Sequence, residues 1–246
     1  MIFNLHFMTK TETFEKIKKR FALNNSYFKN RRSQDPSNPY EVYNYLEQHH
    51  ELPYNSPSDS EWLYDCFSEF QKRSGVQNQQ FFTPTKTAEK MIELLNNYCF
   101  DNHNQVLDAC CGFGQITKQL VNFGYENIFA FDNDKNMVDF MYSIHEQVST
   151  TKNDFKCISK LQQFQFIVSN PPYDVKDLTD FFDFLTTQLY HNGIAVLLIT
   201  AGFLDKSRPE KLVKVLNKFG ILHRELMAQK FERTNINAEI VVLQLL

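Results

Sequence analysis

The stretch QVLDACCGFGQITKQLVNFGYENIFAFD, Gln105–Asp132, contains two apolar runs with a glycine turn and a helical pattern between them. Short apolar runs bounded by turn residues are typical of buried strands, and apolar residues spaced three and four apart favour a helix. The stretch therefore predicts strands at 105–109 and 127–132, joined by a helix at 115–124. Together these form one strand–helix–strand unit.

The same alternation continues towards the C terminus. The apolar runs are continuous rather than interrupted by polar residues, as in parallel strands that are covered on both faces. Repeated units of this kind predict a doubly wound α/β domain with a seven-stranded, mostly parallel sheet. No helical pattern separates the last two runs, so we expect a hairpin that gives the sheet one antiparallel strand. The further predicted strands are 155–159, 164–170, 193–200, 223–229 and 239–246, and the further helices are 83–98, 135–147, 177–190 and 208–220.

Residues 1–78 differ from the remainder, because their apolar residues have helical spacing and show no strand alternation. They predict a small, mostly helical N-terminal region, followed by the α/β domain at 79–246. The segment Lys10–Arg32 carries eight Lys or Arg residues against two Glu residues, in a chain whose net charge is −3. This basic segment is either a solvated helix face or an arm that contacts nucleic-acid phosphates. At the start of the second region, we expect Thr83 to cap a helix whose first residue is Pro84.

Composition limits the classes of protein to which the chain can belong. It has no run of about 18 apolar residues, so a membrane span is not expected. Its first residues place apolar side chains before charged ones, the reverse of a secretory signal. The five cysteines include no CxxC pair, which favours a reduced, cytoplasmic protein and argues against a zinc site.

Two of the seven glycines, Gly112 and Gly114, follow the first predicted strand of the α/β domain. Glycines at such a turn let a ligand approach the backbone at a helix N-terminus. The spacing is D-x-x-x-G-x-G rather than the dinucleotide pattern, and Asp108 at the strand end would repel a pyrophosphate. A carboxylate suits a cationic ligand instead, such as the ammonium or sulfonium group of S-adenosyl-L-methionine. Cys110 lies in the same turn and is included in this predicted cofactor site.

Acidic residues also occur at the next two predicted strand regions. Asp132 lies about where a ribose-binding acid occurs in such folds, and its carboxylate would accept hydrogen bonds from ribose hydroxyls. Asp154 could accept a hydrogen bond from an adenine amino group, and Phe155 could stack on the ring. The alternatives are that Asp132 caps a helix and that Asp154 is an exposed loop acid. The order of Asp108, Asp132 and Asp154 along successive strands favours the cofactor interpretation.

The sequence FIVSNPPYDV, Phe166–Val175, ends a predicted strand with an amide, two prolines and an aromatic ring. Proline has no backbone N–H and a fixed φ, so strand pairing stops at Pro171 and Pro172. The side-chain oxygen of Asn170 and the carbonyl of Pro171 could accept both N–H bonds of an amine whose lone pair is delocalised into a ring. Holding both bonds turns that lone pair towards a methyl donor, and Tyr173 offers a face on which a target base stacks.

These motifs resemble those of S-adenosyl-L-methionine-dependent N6-adenine DNA methyltransferases, over about residues 79–246. NPPY matches the catalytic motif of the family, DACCGFGQIT is similar to its cofactor loop, and QFFTP resembles the segment that contacts the methionine end of the cofactor. The motif order is like that of γ-type enzymes and of type I and type II modification methylases, which act in restriction–modification or as orphan methylases.

The resemblance implies a class I methyltransferase-like fold, S-adenosyl-L-methionine as cofactor, and double-stranded DNA with a flipped-out adenine as partner. The implied catalytic residues are Asn170, Pro171, Pro172 and Tyr173. The implied cofactor-binding residues are Phe82, Thr83, Asp108, Cys110, Gly112, Gly114, Asp132, Asp154 and Phe155.

Several alternatives stay open at this point. NPPY also occurs in some RNA base methyltransferases and in protein N5-glutamine methyltransferases, because an amide nitrogen has a similarly delocalised lone pair. Another alternative is a cofactor-binding scaffold that does not methylate. Target recognition is expected from residues 1–78 or from a separate specificity subunit, unless the enzyme has little sequence preference. Lys230 and Arg233, between the last two strands, either contact a phosphate or belong to a plain hairpin loop.

Overall fold

The structure, a computed structural model, describes residues 83–145, 147–157, 162–205, 209–227 and 237–246. The chain divides into two units, Met1–Asn78 and Gln79–Leu246, and every described residue lies in the second unit. The helical region predicted for residues 1–78, with its basic segment, lies outside the described residues and stays a prediction. Lys230 and Arg233 lie outside them as well.

Helices and strands alternate along the described residues, largely as the sequence predicts. The helices are α1 Thr85–Asn96, α2 Gln115–Asn122, α3 Lys135–Ile144, α4 Val175–Gln188 and α5 Glu210–Leu216. The strands are β1 Val106–Ala109, β2 Ile128–Asp132, β3 Ser149–Lys152, β4 Phe164–Ser169, β5 Leu189–Thr200, β6 Phe219–Leu226 and β7 Ala238–Leu245. Within these described ranges, the helices lack the length and apolar character that crossing a membrane requires.

The strands form one sheet in the order β3-β2-β1-β4-β5-β7-β6. β1 pairs in parallel with β2 and β4, β2 with β3, and β4 with β5, whereas β7 pairs antiparallel with both β5 and β6. The predicted fold class is therefore confirmed. The sheet is mostly parallel and doubly wound, and its antiparallel strand comes from the predicted C-terminal hairpin.

Helices cover both faces of the sheet. Successive residues of a strand point to opposite faces, so neighbouring residues of β1 pack against different helices. On one face, Val106 of β1 packs in a buried cluster with Met91 of α1 and Ile116 of α2. On the other face, Leu107 of β1 packs in a second buried cluster with Phe181 of α4. Burial on both faces explains why the central strands appear in the sequence as continuous apolar runs.

The strand predicted at 155–159 is wrong in position. The third strand is β3 at Ser149–Lys152, and residues 155–157 form a turn after it. β3 is an edge strand whose polar side chains are mostly exposed, so it lacks the apolar run of the other strands. The apolar signal comes from Phe155, which packs into the core from the turn that follows β3.

The predicted start of α1 is also wrong in detail. Pro84 has extended backbone angles and occupies the capping position, so α1 begins at Thr85. Pro84 makes no side-chain capping hydrogen bond at this end of α1. The Thr83 hydroxyl, which is predicted to do so, instead accepts a hydrogen bond from Asn170.

Candidate active site

The carboxyl ends of β1, β2 and β4 meet at one edge of the sheet. Ala109, the last residue of β1, is in register with Phe131 of β2 and with Ser169, the last residue of β4. The glycine turn after β1, Asp132 at the end of β2 and the NPPY segment after β4 therefore begin at the same level. Between β1 and β4 the strand order also changes direction, which is where ligands bind in open α/β sheets.

The glycine turn after β1 has an unusual backbone. Cys110, Gly112 and Gly114 all have positive φ, at 58°, 54° and 81°. Gly114 precedes α2, and a Cβ atom built on it would lie 1.8 Å from the sulfur of Met141 in α3. The turn thus requires glycine at Gly114 for two reasons, its left-handed backbone and the close approach of α3.

We expect Gly114→Ala to destabilise the protein by about 2–4 kcal/mol, from the left-handed backbone and from overpacking. The buried Met141 side chain must move to make room for the new methyl group. Gly124→Ala is the matched control, because Gly124 also has a left-handed φ of 83° but its built Cβ lies 3.4 Å from Asn102 Nδ2. Urea denaturation should show a clearly larger loss of unfolding free energy for Gly114→Ala than for Gly124→Ala. Equal losses in the two variants would contradict the close packing of the turn on α3.

Asp108 is a fully buried carboxylate at the base of this turn. Its Oδ2 accepts hydrogen bonds from the backbone N–H of Thr117 at 2.9 Å and from the Thr117 hydroxyl at 2.6 Å. Its Oδ1 is buried and has no hydrogen-bond partner among the described residues. Burial raises the pKa of Asp108 from 3.8 to about 7, and the nearby charge of Asp132 adds to this effect. Among the described residues, no Lys, Arg or His forms an ion pair with this carboxyl.

Asp132 joins the ends of β1 and β2. Its Oδ2 accepts from the Gly112 N–H and its Oδ1 from the Asp134 N–H, both at 2.9 Å. Burial raises the pKa of this carboxyl as well. The first helical hydrogen bonds of α3 are accepted by the Asp134 carbonyl, so Asp132 lies outside the capping position of that helix. It instead fixes the glycine turn against β2.

Asp154 and Phe155 follow β3 and have different surroundings. Asp154 is half-buried, and its Oδ1 accepts from the Lys156 N–H at 2.9 Å. Phe155 is buried and packs edge-on against Phe181 at a centroid distance of 5.3 Å. The structure therefore gives Phe155 a packing role, and its stacking on a bound adenine stays a prediction.

Hydrogen bonds fix the NPPY segment at the residue before it, at its first residue and at the residue after it. The buried Ser169 hydroxyl donates to the Ala109 carbonyl at 2.5 Å, which joins the end of β4 to the end of β1. Asn170 Nδ2 donates to Thr83 Oγ1 at 3.1 Å. Asp174 then caps α4 by accepting from two backbone N–H groups. The segment is thus tied to the glycine turn on one side and to the segment before α1 on the other.

Pro171 is buried and Tyr173 is half-buried, with its hydroxyl oxygen inside the protein. Burial raises the pKa of the Tyr173 phenol above its ordinary value of 10, so the hydroxyl stays protonated at physiological pH. Of the predicted site residues, Phe82 lies outside the described residues.

Sequence reasoning does not find three residues that shape this edge, namely Thr117, Met141 and Ser169. A hydroxyl residue at the end of an otherwise apolar strand is a signal for Ser169. Thr117 and Met141 have no comparable signal, because their roles depend on how α2 and α3 pack against β1.

The chain is similar in sequence to modification enzymes, although no family model matches it. It is 27% identical over 94 residues to the type II methyltransferase M.HincII of Haemophilus influenzae, covering 38% of this chain and 17% of that protein. It is 25% identical over 167 residues to the modification methylase CviBIII of Paramecium bursaria Chlorella virus NC1A, covering 60% of this chain and 44% of that protein. The matches therefore span less than half the length of either relative.

Solved structures resemble the chain in fold. A Listeria monocytogenes protein described as a class I S-adenosylmethionine-dependent methyltransferase has a TM-score of 0.67 and 11% identity, covering 95% of this chain and 79% of that one. A Pyrococcus horikoshii protein described as an RNA methyltransferase has a TM-score of 0.52 and 16% identity, covering 68% and 87%. Magnesium protoporphyrin IX methyltransferase of Synechocystis, with bound SAM, has a TM-score of 0.51 and 16% identity, covering 66% and 79%. The chain thus has the fold of class I S-adenosylmethionine-dependent methyltransferases, and its sequence is similar to those of type II modification methyltransferases.

Proposed function

We propose that this protein transfers a methyl group from S-adenosyl-L-methionine to the N6 amine of adenine in double-stranded DNA. The observation that carries the proposal is the anchoring of the NPPY segment beside the glycine turn. The Ser169 hydroxyl bonds the Ala109 carbonyl, and the next residue, Asn170, presents its amide at the same edge of the sheet. The amide that would hold the acceptor amine and the glycine turn that would bind the cofactor therefore lie at neighbouring strand ends.

The residues at this edge fit S-adenosyl-L-methionine. Asp108 Oδ1 is a buried acceptor without a hydrogen-bond partner among the described residues. A cationic ligand would provide this carboxylate with a partner of opposite charge. Gly112 has a positive φ in the turn beside Asp108, and Asp132 can accept from ribose hydroxyls. When bound, this cofactor supplies a methyl group on a positively charged sulfur.

Asn170 and Pro171 perform the work of orienting the acceptor. The exocyclic amine of adenine is a poor nucleophile, because its lone pair is delocalised into the ring. The side-chain oxygen of Asn170 and the carbonyl oxygen of Pro171 accept the two N–H bonds and turn the lone pair out of conjugation. Such positioning supplies a large part of a barrier reduction. The nitrogen can release its proton to water after the transfer, so the reaction needs no strong base.

Tyr173 holds the target base. Its hydroxyl oxygen is buried while the residue as a whole is half-buried, so the side chain reaches from the interior towards the surface. Stacking of a base on an aromatic ring contributes about 1–3 kcal/mol. This contribution helps to offset the few kcal/mol that removing an adenine from the duplex costs.

DNA is favoured as the substrate by the sequence relatives. They are a type II methyltransferase and a modification methylase, the class of enzyme that the motif order resembles. RNA bases and glutamine side chains pose the same lone-pair problem, so both are offered as competing substrates in the test of this proposal.

The substrate test offers DNA, RNA and protein to the full chain under one set of conditions. Purified protein is incubated with methyl-labelled S-adenosyl-L-methionine and with unmethylated bacterial DNA, total RNA or a translation release factor. We expect label in the DNA, recovered as N6-methyladenosine after digestion to nucleosides. Label found only in RNA or only in the release factor would refute the DNA proposal while leaving the methyltransferase fold untouched.

Phosphate contacts are assigned in this proposal to the basic segment Lys10–Arg32 or to a separate specificity subunit. Acidic residues outnumber basic ones in the described part of the chain, so this part does not supply a strong attraction for a polyanion.

Changing Lys18, Lys19 and Arg20 to Glu is expected to weaken DNA binding and to flatten its salt dependence. The slope of log K against log salt is negative, and each lost phosphate contact brings it closer to zero by about 0.9. The matched control changes Lys211 and Lys214, which lie on α5, to Glu. Fluorescence anisotropy with labelled duplex DNA at several salt concentrations measures both slopes, and an unchanged slope in the first variant would exclude the basic segment from the interface.

A further inference from the structure

A hydrogen bond joins Thr83 and Asn170 across 87 positions of the chain. Thr83 comes before Pro84, the capping residue of α1, and is buried, with 6% of its surface exposed. Asn170 follows β4 and opens the NPPY segment. Asn170 Nδ2 donates to Thr83 Oγ1 at 3.1 Å.

The Thr83 hydroxyl does not have the role that its position in the sequence suggests. A threonine at the start of a helix ordinarily caps it, by accepting from a backbone N–H of the first turn. Here Pro84 takes the capping position with φ −60° and ψ 145° and makes no side-chain capping hydrogen bond. The helix gives up a stabilising interaction while the hydroxyl contacts the candidate catalytic amide. Local preferences that are not satisfied tend to occur at functional sites.

We propose that Thr83 is a positioning residue that sets the orientation of the Asn170 amide, an inference that rests on the proposed function. An amide group carries its oxygen and its NH2 on opposite sides, and either side can face a substrate after a half-turn. The proposed reaction needs the oxygen to face the acceptor amine, because an NH2 group there would oppose the N–H bonds of that amine. While the Thr83 hydroxyl accepts from Nδ2, Oδ1 lies on the other side of the amide.

Two neighbouring contacts act on the backbone instead. Ser169, the residue before Asn170, fixes the end of β4 by donating to the backbone carbonyl of Ala109. Asp174 acts on the backbone of α4. Thr83 contacts the amide itself, so removing its hydroxyl should affect the orientation of Asn170 without displacing the strand that carries it.

Kinetics with two substitutions test this inference. Thr83→Val keeps the shape of the side chain but removes the hydroxyl, and we expect it to lower kcat about tenfold, the effect of one neutral hydrogen bond. The measurement is made at saturating DNA and cofactor, with the Kd for S-adenosyl-L-methionine determined separately. Thr83→Ser keeps the hydroxyl and should retain most of the kcat. Thr87→Val, at a buried threonine of α1, is the matched control for a valine in this region.

Nuclear magnetic resonance gives a readout that does not need a substrate. In protein with 15N-labelled asparagine, the side-chain signals of Asn170 are identified by their loss in Asn170→Ala. Their two protons should exchange more rapidly and shift upfield in Thr83→Val, but not in Thr83→Ser or Thr87→Val.

Three outcomes would overturn the inference. Unchanged Asn170 signals in Thr83→Val would show that the hydroxyl does not hold the amide. A raised Kd for cofactor with an unchanged kcat would make Thr83 a cofactor contact alone, and equal losses in the Val and Ser variants would make it a packing residue. A wild-type protein that methylates none of the offered substrates would instead refute the proposed function, and the NMR signals would still decide the role of Thr83.

Discussion

Replacing Asn170 by alanine is expected to abolish methyl transfer while leaving cofactor affinity nearly intact. The substitution removes the oxygen that accepts an N–H bond of the target amine, whereas the groups that fit the cofactor lie on β1, β2 and the glycine turn. Losing one such polar group from a preorganised site typically lowers kcat by about 10²–10³-fold. Single-turnover assays with excess protein measure the loss, and isothermal titration calorimetry measures cofactor binding.

The control for this variant is Asn122→Ala, at the end of α2, where Nδ2 donates to Gln119 Oε1 at 3.3 Å. It removes an asparagine of the same domain without touching the NPPY segment. A strong loss of cofactor affinity in Asn170→Ala would place Asn170 in the cofactor pocket. Full activity in that variant would remove it from the mechanism.

Replacing Asp108 by asparagine is expected to change both cofactor affinity and the pH dependence of stability. A cationic ligand loses its carboxylate partner, so we expect the Kd for S-adenosyl-L-methionine to rise at least about tenfold, as for a hydrogen bond to a charged group. Asparagine has nearly the same shape and keeps an oxygen for the Thr117 N–H and hydroxyl. An unchanged Kd in Asp108→Asn would refute the assignment of Asp108 to the cofactor.

The stability of the ligand-free protein provides the second readout of this substitution. The pKa of Asp108 is raised to about 7 in the folded protein, so the folded state binds a proton more tightly than the unfolded state. The stability contributed by this group is full below its unfolded pKa and is lost as pH rises through about 7. Asparagine does not titrate, so the stability of Asp108→Asn relative to wild type should increase by about 3 kcal/mol between pH 5 and pH 8.

Urea denaturation at the two pH values measures this difference. Buried His145 also titrates with a shifted pKa, but it is present in both proteins and its effect cancels in the comparison. Asp132 interacts with Asp108, so the measured difference includes the loss of the repulsion between these two carboxyls. Asp101→Asn is the control, since Asp101 is an exposed residue of the loop before β1. A stability difference that does not vary with pH would contradict the raised pKa of Asp108.

Much of the fold follows from the sequence, because parallel strands buried on both faces leave an unmistakable apolar pattern. β1, β2 and β4 lie where the pattern predicts them, and so does the glycine turn. β3 is misplaced because an exposed edge strand needs no apolar run, while the buried Phe155 beyond it does supply one. A run of apolar residues thus indicates burial, and it locates a strand only where the buried residues themselves form the strand.

The candidate site is predicted less completely than the fold. Asp108, Asp132 and Asn170 lie at or next to the carboxyl ends of strands, so the topology alone brings them to one edge. The contacts that hold them are different in kind. Thr83 meets Asn170, and Ser169 meets Ala109, only after distant segments have packed together. Spacing along the chain carries no information about such pairs.

The position of β7 has a consequence for synthesis on the ribosome. Residues 238–245 fill an interior place in the sheet, between β5 and β6, although they come after both in the sequence. Until they emerge, the long strand β5 has an open edge with unpaired backbone groups, which is the kind of surface that promotes association with other nascent chains. Shortening the chain within this strand should therefore yield insoluble protein, whereas slowing its translation should extend the time for which the nascent chain needs chaperones.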